Sequence, residues 1–543
     1  MQAAEGGGTP AATSVYRRGQ GARAPGPPVF VWAPAVLVAA GVALPLAYLV
    51  VRTLGSGAEA WELLARGRTL AILGRSLLLA LVVTGATVAI GLPLAWLTVR
   101  TDLPLRRVWS VLTALPLVIP SYVIGFVVVA ALGPRGMLQG LLAGPLGVER
   151  LPEIYGFPGA ALSLSLVSFP YVLLGVRGAL ARLDPALEEA ARSLGHGGWA
   201  TFRKVTLPLL RPALAAGALL VALYTLSDFG AVSMLRYETF TWAIYLQYQT
   251  SFDRSLAAAL SLVLVVIAVA ILAIEAQTRG RSRYYRSTAG AVRPAAAVRL
   301  GGWRWPALAF CSVVALFALA LPLAVLGYWL ARGLGAGETL HLLWGPMVNS
   351  AYASGLAAVA TVAAALPVVF LAVRYRSLVT ALLERMTYVG FALPGIAIAL
   401  SLVFFGANYL QPLYQSLALL VFAYLVLFLP TAVGAERISL LQVRPSLEEA
   451  ARSLGRPPLQ VLARVTIPLM RPGIAAGAAL VFLLTMKELP ATLILGPIGF
   501  KTLATSLWSS ASEGFFARAA APALLLVLAS SVPLAILTLR ARR

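Results

Sequence analysis

Side chains capable of acid–base, nucleophilic or metal chemistry are few in this 543-residue chain, and they do not cluster. One cysteine, Cys311, and two histidines, His196 and His341, exclude a disulfide framework and a Cys/His metal site. Cys311 lies in an apolar run and reads as a small apolar residue, while the histidines read as loop residues. No Gly-x-x-x-x-Gly-Lys-Ser/Thr phosphate loop is present, so the chain itself is not expected to bind ATP. Neither a catalytic set, a stably bound metal nor a cofactor is expected. The carboxylates that stand out are paired and repeated. Leu187-Glu188-Glu189-Ala190-Ala191-Arg192-Ser193-Leu194-Gly195 recurs unchanged as Leu447-Glu448-Glu449-Ala450-Ala451-Arg452-Ser453-Leu454-Gly455, 260 positions on.

Each nonapeptide has the pattern of a short amphipathic helix. Leu187, Ala190, Ala191 and Leu194 fall at i, i+3, i+4 and i+7, and Leu447, Ala450, Ala451 and Leu454 repeat that stripe. The glutamates sit in the first turn, where the helix dipole favours negative charge. Glu188 precedes Arg192 by four residues, the favoured order for a surface ion pair. Asp184-Pro185 offers a cap and a proline at N1, Ser446 and Glu449 have capping-box spacing, and Gly195 and Gly455 suit C-terminal caps. A helix about 13 Å long is marginal alone in water, so the stripe needs a packing partner. The lipid interface, the chain's own helices and a groove on another protein all qualify. Two alanines and no Trp or Phe make a weak membrane anchor, and strict identity between the copies suits docking onto two copies of one partner.

The elements that must carry these segments are apolar. The chain is 60% hydrophobic and only 12% charged, with 43 Lys+Arg against 20 Asp+Glu. A soluble domain carries about 25% charged residues, and nucleic-acid binders are not this apolar, so a membrane protein is expected and nucleic acid is not. Twelve stretches are long enough to span a bilayer: about 30–51, 71–99, 108–132, 158–176, 207–227, 256–278, 305–331, 347–373, 386–405, 414–435, 469–486 and 519–539. With both termini cytoplasmic, 31 basic residues fall on the inner side and 12 on the outer, as the positive-inside rule requires. Residues 1–29 read as a disordered cytoplasmic tail.

Further pairs share the offset of the nonapeptides: Pro185 with Pro445, Val205-Thr206 with Val465-Thr466, Arg211-Pro212 with Arg471-Pro472, and Asp228 with Glu488. Upstream the offset is 274, matching Pro93 and Arg100 to Pro367 and Arg374. The chain therefore reads as an all-α polytopic protein of two parallel six-helix halves, 30–278 and 305–543, joined by an Arg-rich cytoplasmic linker at 279–304. Arg279, Arg281, Arg283 and Arg286 in that linker suit an inside-positive loop or a contact with anionic lipid. Pro93, Pro116, Pro120, Pro367 and Pro394 lie inside predicted spans and suit kinks. Asp228 and Glu488, expected at the outer ends of the fifth and eleventh spans, either line a pathway or cap those spans.

Glu189-Ala190-Ala191, Gly195, Val205, Leu207 and Pro208, with their second set Glu449-Ala450-Ala451, Gly455, Val465, Ile467 and Pro468, resemble the EAA loop of ABC-type importer permeases. Valine for isoleucine in both copies and Ile467 for leucine are mild departures. The resemblance implies coupling helices at 187–195 and 447–455 seated in a cytoplasmic ABC ATPase, two copies of it, and a periplasmic or extracellular solute-binding protein delivering cargo. It places the chain in a bacterial inner membrane. The stretches Ser227–Tyr245 and Lys487–Thr492 resemble the ferric-iron group, with the thiamine group as a near relative. Fe(III) prefers oxygen ligands such as Asp228 and Glu488. Secondary transporters can also be two parallel six-helix halves, but ion-coupling charges within the predicted spans are nearly lacking; no span carries the clustered residues of a membrane enzyme.

Overall fold

The computed structural model describes residues 28–55, 57, 62, 64–134, 136–147, 150–250, 255–280, 297–338, 343–375 and 377–540. The predicted tail (apart from residues 28 and 29), most of the linker, and His341 lie outside them. The described chain is almost entirely helical, with a single isolated β-bridge between Thr101 and Val298.

Ten helices among the described residues are long and apolar enough to cross a membrane. The first half contains α1 (Val29–Gly55), α2 (Gly67–Arg100), α3 (Ser121–Leu132), α4 (Phe157–Arg182), the short α5 (Pro185–Ser193), α6 (Leu207–Ser227), the one-turn α7 (Gly230–Met234) and α8 (Ser255–Gly280). The second contains α9 (Arg304–Ala315) and α10 (Leu321–Gly335), then α11 (Trp344–Arg374), α12 (Gly395–Tyr409), α13 (Leu417–Gln442), the short α14 (Pro445–Ser453), α15 (Ile467–Met486), α16 (Pro490–Leu495) and α17 (Phe516–Arg540). Ten of the twelve predicted stretches fall on continuous helical runs. The stretches at 158–176 and 469–486, short and Pro/Gly-rich in sequence, lie within full-length helices.

Two predicted spans are not continuous helices, and the reason is proline. The third stretch breaks into Arg106–Leu112, a 3₁₀ turn at Leu115–Val118, and α3 beginning after Pro120. The ninth breaks into Leu378–Thr387, a turn at Val389–Ala392, and α12 beginning after Pro394. Proline lacks an N–H and clashes with the preceding turn, so it ends one helix and starts the next. Pro120 and Pro394 are equivalent by the 274 offset. A second duplicated irregularity is the π-turn at Phe202–Thr206 and again at Leu462–Thr466. Each runs directly into Leu207-Pro208 or Ile467-Pro468, where the missing proline donor widens the hydrogen-bond ladder.

Each half lends its leading helix to the other. α1 packs on α8 of its own half but also on α11 and α12 of the second. Reciprocally α10 packs on α17 and on α3 of the first half. Ser401 of α12 donates to the Pro45 carbonyl at 2.8 Å, tying α1 to the second half. One continuous apolar core therefore runs through both halves.

Candidate functional site

The two nonapeptides form α5 and α14, each ending in the same way. Gly195 and Gly455 take φ of +85° and +79°, a conformation that a Cβ disfavours. Their N–H groups bond the Arg192 and Arg452 carbonyls at 2.9 Å, and the next residues, His196 and Arg456, bond back to Ala191 and Ala451. Both are Schellman caps. The starts differ. Asp184 caps α5 through Oδ1, accepting from the Ala186 N–H at 3.0 Å. α14 begins at Pro445 after an uncapped Arg444, so Ser446 is inside the helix and the expected capping box with Glu449 does not form. Proline at N1 takes over because the helix gains a residue before Ser446.

Glu188 and Glu448 turn inward, which corrects the expected surface pair with Arg192. Glu448 is 2% exposed and receives three bonds from Arg374, two from Nε at 3.1 Å and one from Nη2 at 2.8 Å. Thr466 on the π-turn adds a fourth at 3.1 Å, and Arg374 Nη2 also reaches the Val443 carbonyl. Glu188 repeats the arrangement more loosely: Thr206 donates at 2.8 Å, while Arg100 stands 3.6 Å away. Arg452 approaches Glu448 only at 3.9 Å. Each short helix is thus fastened to the end of a long helix, α2 or α11, and to the π-turn that leads into α6 or α15. The outward faces are open: Glu189, Glu449, Ala190 and Ala450 are exposed, Leu187 and Leu447 about half so, and Leu194 and Leu454 are 79% and 82% exposed. Ala191 is buried and Ala451 half-buried. Among the described residues no helix covers the leucines.

At the far ends of α6 and α15 lie Asp228 and Glu488. They are not at the outer surface, as expected, but at helix corners level with the breaks at Pro120 and Pro394. Both line one central cavity of about 810 Å³, with Ser121, Tyr122, Tyr224, Gly395 and Lys487. Asp228 Oδ1 accepts from the Ala231 N–H at 2.9 Å and caps α7; Glu488 Oε1 accepts from the Ala491 N–H at 3.1 Å and caps α16. The cavity wall joins the halves: Lys487 Nζ donates to the Leu117 carbonyl at 2.9 Å rather than to Glu488. At the matched positions the volumes compensate. Ser121 stands beside the shorter Asp228, while its counterpart Gly395 leaves room for the longer Glu488, whose Oε1 would lie 2.8 Å from any Cβ there. Phe229, Trp242, Tyr245 and Trp508 form a ring cluster behind Asp228, Phe229 and Tyr245 at 5.0 Å between centroids. Among the described residues no group of three His, Cys, Asp or Glu could hold a metal ion.

A chain whose fastened helices occur in duplicate around one shared cavity should match a duplicated family. The family model described as "Binding-protein-dependent transport system inner membrane component" matches residues 87–280 and again 368–543. The chain belongs to this family. It is a permease subunit of an ABC importer, not an enzyme, and a multi-pass component of a bacterial inner membrane. The permease is 37% identical over 516 residues to the Fe(3+)-transport system permease protein FbpB 2 of Haemophilus influenzae, covering 94% of this chain and 98% of that protein. It is 24% identical over 454 residues to the ferric transport system permease protein FbpB of Actinobacillus pleuropneumoniae, covering 80% of this chain and 66% of that protein. A 196-residue part is 35% identical to the molybdenum transport system permease protein ModB of Escherichia coli, covering 34% of this chain and 84% of that protein. The family works with an ATPase and a solute-binding protein. A secondary transporter is set aside with the membrane enzyme.

Arg100, Arg374, Thr206 and Thr466 are the site residues that reading the nonapeptides alone missed. The repeat matches Arg100 to Arg374 and Thr206 to Thr466, but only the fold brings them against α5 and α14.

Proposed function

We propose that this permease carries ferric iron, handed over by a solute-binding protein and driven by two copies of a separate ABC ATPase. The observation that carries the reading is the full-length similarity to a ferric-iron permease, together with two carboxylates, Asp228 and Glu488, on the central cavity. Hard Fe(III) suits oxygen donors, and a site of two carboxylates and hydroxyls is open enough to release its cargo.

The mechanical reading follows the fastened helices. The exposed stripes Leu187–Leu194 and Leu447–Leu454 seat in the ATPases, with Glu189 and Glu449 on the docking face. Closure of the ATPases moves α5 and α14, and Glu188 and Glu448 pass that motion to α2 and α11 and through the π-turns to α6 and α15. Those helices end at Asp228 and Glu488, so displacement at one end reshapes the cavity at the other. Rocking of two parallel six-helix halves, twelve spans with both termini cytoplasmic, then alternates access. The ring cluster around Trp508 forms the outer closure.

The test is uptake of radioactive ferric iron into proteoliposomes holding the permease, its ATPase and its binding protein. Asp228→Asn with Glu488→Gln should abolish uptake while ATP hydrolysis remains responsive to the binding protein. Uptake of thiamine or molybdate with no ferric-iron transport would overturn the cargo assignment.

A further inference from the structure

The equivalent surroundings of Arg374 and Arg100 differ in a way that the repeat does not require. Beside Arg374 the space is filled: Val31, Ala35 and Ala39 of α1 pack against Val368, Leu371 and Leu383 in a small closed core, with Phe370 and Leu462 against it. Arg374 itself is saturated by Glu448 and Val443. Beside Arg100 the matching space is a cavity of about 790 Å³, bounded by α2, the π-turn before α6, the start of α9 and the linker segment at Val298–Leu300. Volumes of about 300–1,000 Å³ hold a drug-sized ligand.

Its wall combines three arginines, Arg100, Arg192 and Arg299, one acid, Glu188, and the rings of Trp96, Trp199, Phe202, Trp303 and Phe310. Arg100 is 4% exposed, and its Nε and Nη2 have no hydrogen-bond partner among the described residues. A buried guanidinium with free donors is costly unless something accepts from it. Glu188 offsets its charge as an ion pair at 3.6 Å but is too far to accept a hydrogen bond, its Oε1 receiving Thr206 instead. Arg100 therefore keeps hydrogen-bond donors open to an anionic acceptor on a wall that is otherwise largely apolar.

We propose that this cavity binds one anionic phospholipid, its phosphate on Arg100 and Arg299 and its glycerol and first chain carbons against Trp96, Phe202 and Phe310. The place suits a lipid rather than a soluble anion. Trp199, Trp303 and Trp305 beside it are each about three-quarters exposed, and exposed tryptophans mark the headgroup depth of a bilayer. Arg299 adds positive charge on the wall at the same level, the composition of a lipid-headgroup site. Because the phosphate would draw Arg100 away from Glu188, lipid occupancy bears on how firmly α5 is held, with no counterpart at α14.

The permease–ATPase complex is purified from membranes containing phosphatidylglycerol and phosphatidylcholine, washed in detergent, and its retained lipid counted by native mass spectrometry. Wild type should retain one phosphatidylglycerol per permease and no phosphatidylcholine. Arg299→Gln and Trp303→Ala, both at exposed positions that leave the fold intact, should lower retention about tenfold, as expected for losing a charged hydrogen bond or its apolar support. Arg100→Gln should do the same if it purifies. Arg304→Gln, equal in charge change but not on the cavity wall, should leave retention unchanged. Equal loss in Arg304→Gln, equal retention of phosphatidylcholine, or displacement by millimolar inorganic phosphate or glycerol phosphate would each overturn the assignment. The first would mean diffuse surface charge, the second no headgroup selection, and the third a soluble-anion site.

Discussion

Replacing Glu448 by Gln is the most direct trial of the fastened-helix reading, because it removes one charge and little volume. Glu448 accepts four bonds at 2.8–3.1 Å in a nearly closed site. Removing one partner of a buried ion pair costs about 3–5 kcal/mol, since the remaining charge is left unpaid. α14 has only nine residues, too few to persist unaided, so its docked arrangement depends on this pair. A shift of about 3 kcal/mol is on the order of a hundredfold in the population of the docked arrangement. Glu188→Gln should cost less: its arginine stands at 3.6 Å, and its Thr206 bond survives in the amide, leaving about 1 kcal/mol, or roughly fivefold. Amide hydrogen exchange should therefore accelerate strongly across 445–453 in Glu448→Gln and weakly across 185–193 in Glu188→Gln. ATP-driven uptake should fall in the same order while the chain still inserts. Arg374→Met combined with Glu448→Met should recover protection, because no charge is then stranded. Equal effects at Glu188 and Glu448, or undiminished protection at 445–453, would refute the reasoning.

Gly395→Ser should block uptake by setting a hydroxymethyl against Glu488, and adding Glu488→Asp should restore it by reproducing the Ser121–Asp228 set; uptake of the single and double variants decides. Gly195→Ala and Gly455→Ala should each destabilise by about 1 kcal/mol through the strained left-handed cap, seen as faster exchange in the last turn of α5 or α14. Glu436, fully buried on α13 with neither carboxylate oxygen hydrogen-bonded among the described residues, should gain stability when changed to Val, the residue at the matching position 176. About 1–3 kcal/mol is expected, and a thermal midpoint in detergent that falls rather than rises would contradict it.

The amphipathic stripes, the glycine caps and the long apolar helices were legible because each depends on neighbours within a turn or two. Pro120 and Pro394 were recognisable as perturbations, yet the sequence does not distinguish a kinked span from one rebuilt as separate pieces. That choice rests on what packs into the gap, here Asp228 and Glu488 with the short helices they cap. For the same reason those two carboxylates were expected at the outer ends of α6 and α15: apolar length locates the end of a helix but not its depth when the following chain turns back into the protein. The orientation of Glu188 and Glu448 was hidden behind an equally good local partner, Arg192 or Arg452. A long-range arginine took precedence because the site around it is dry, where charge pairing is stronger.

The exchange of leading helices sets an order of events during synthesis. α1 is complete by residue 55, but α12, on which it packs, ends at residue 409. At about 5–20 residues per second, some 350 residues of elongation take roughly 20–70 s. Until α11 is made, ending at residue 374, α1 has α8 as its neighbour, and that only after residue 280 has been made. The nascent first half is therefore an unfinished surface in the bilayer, exposed to insertion factors, proteases and other nascent chains until the second half arrives to close it.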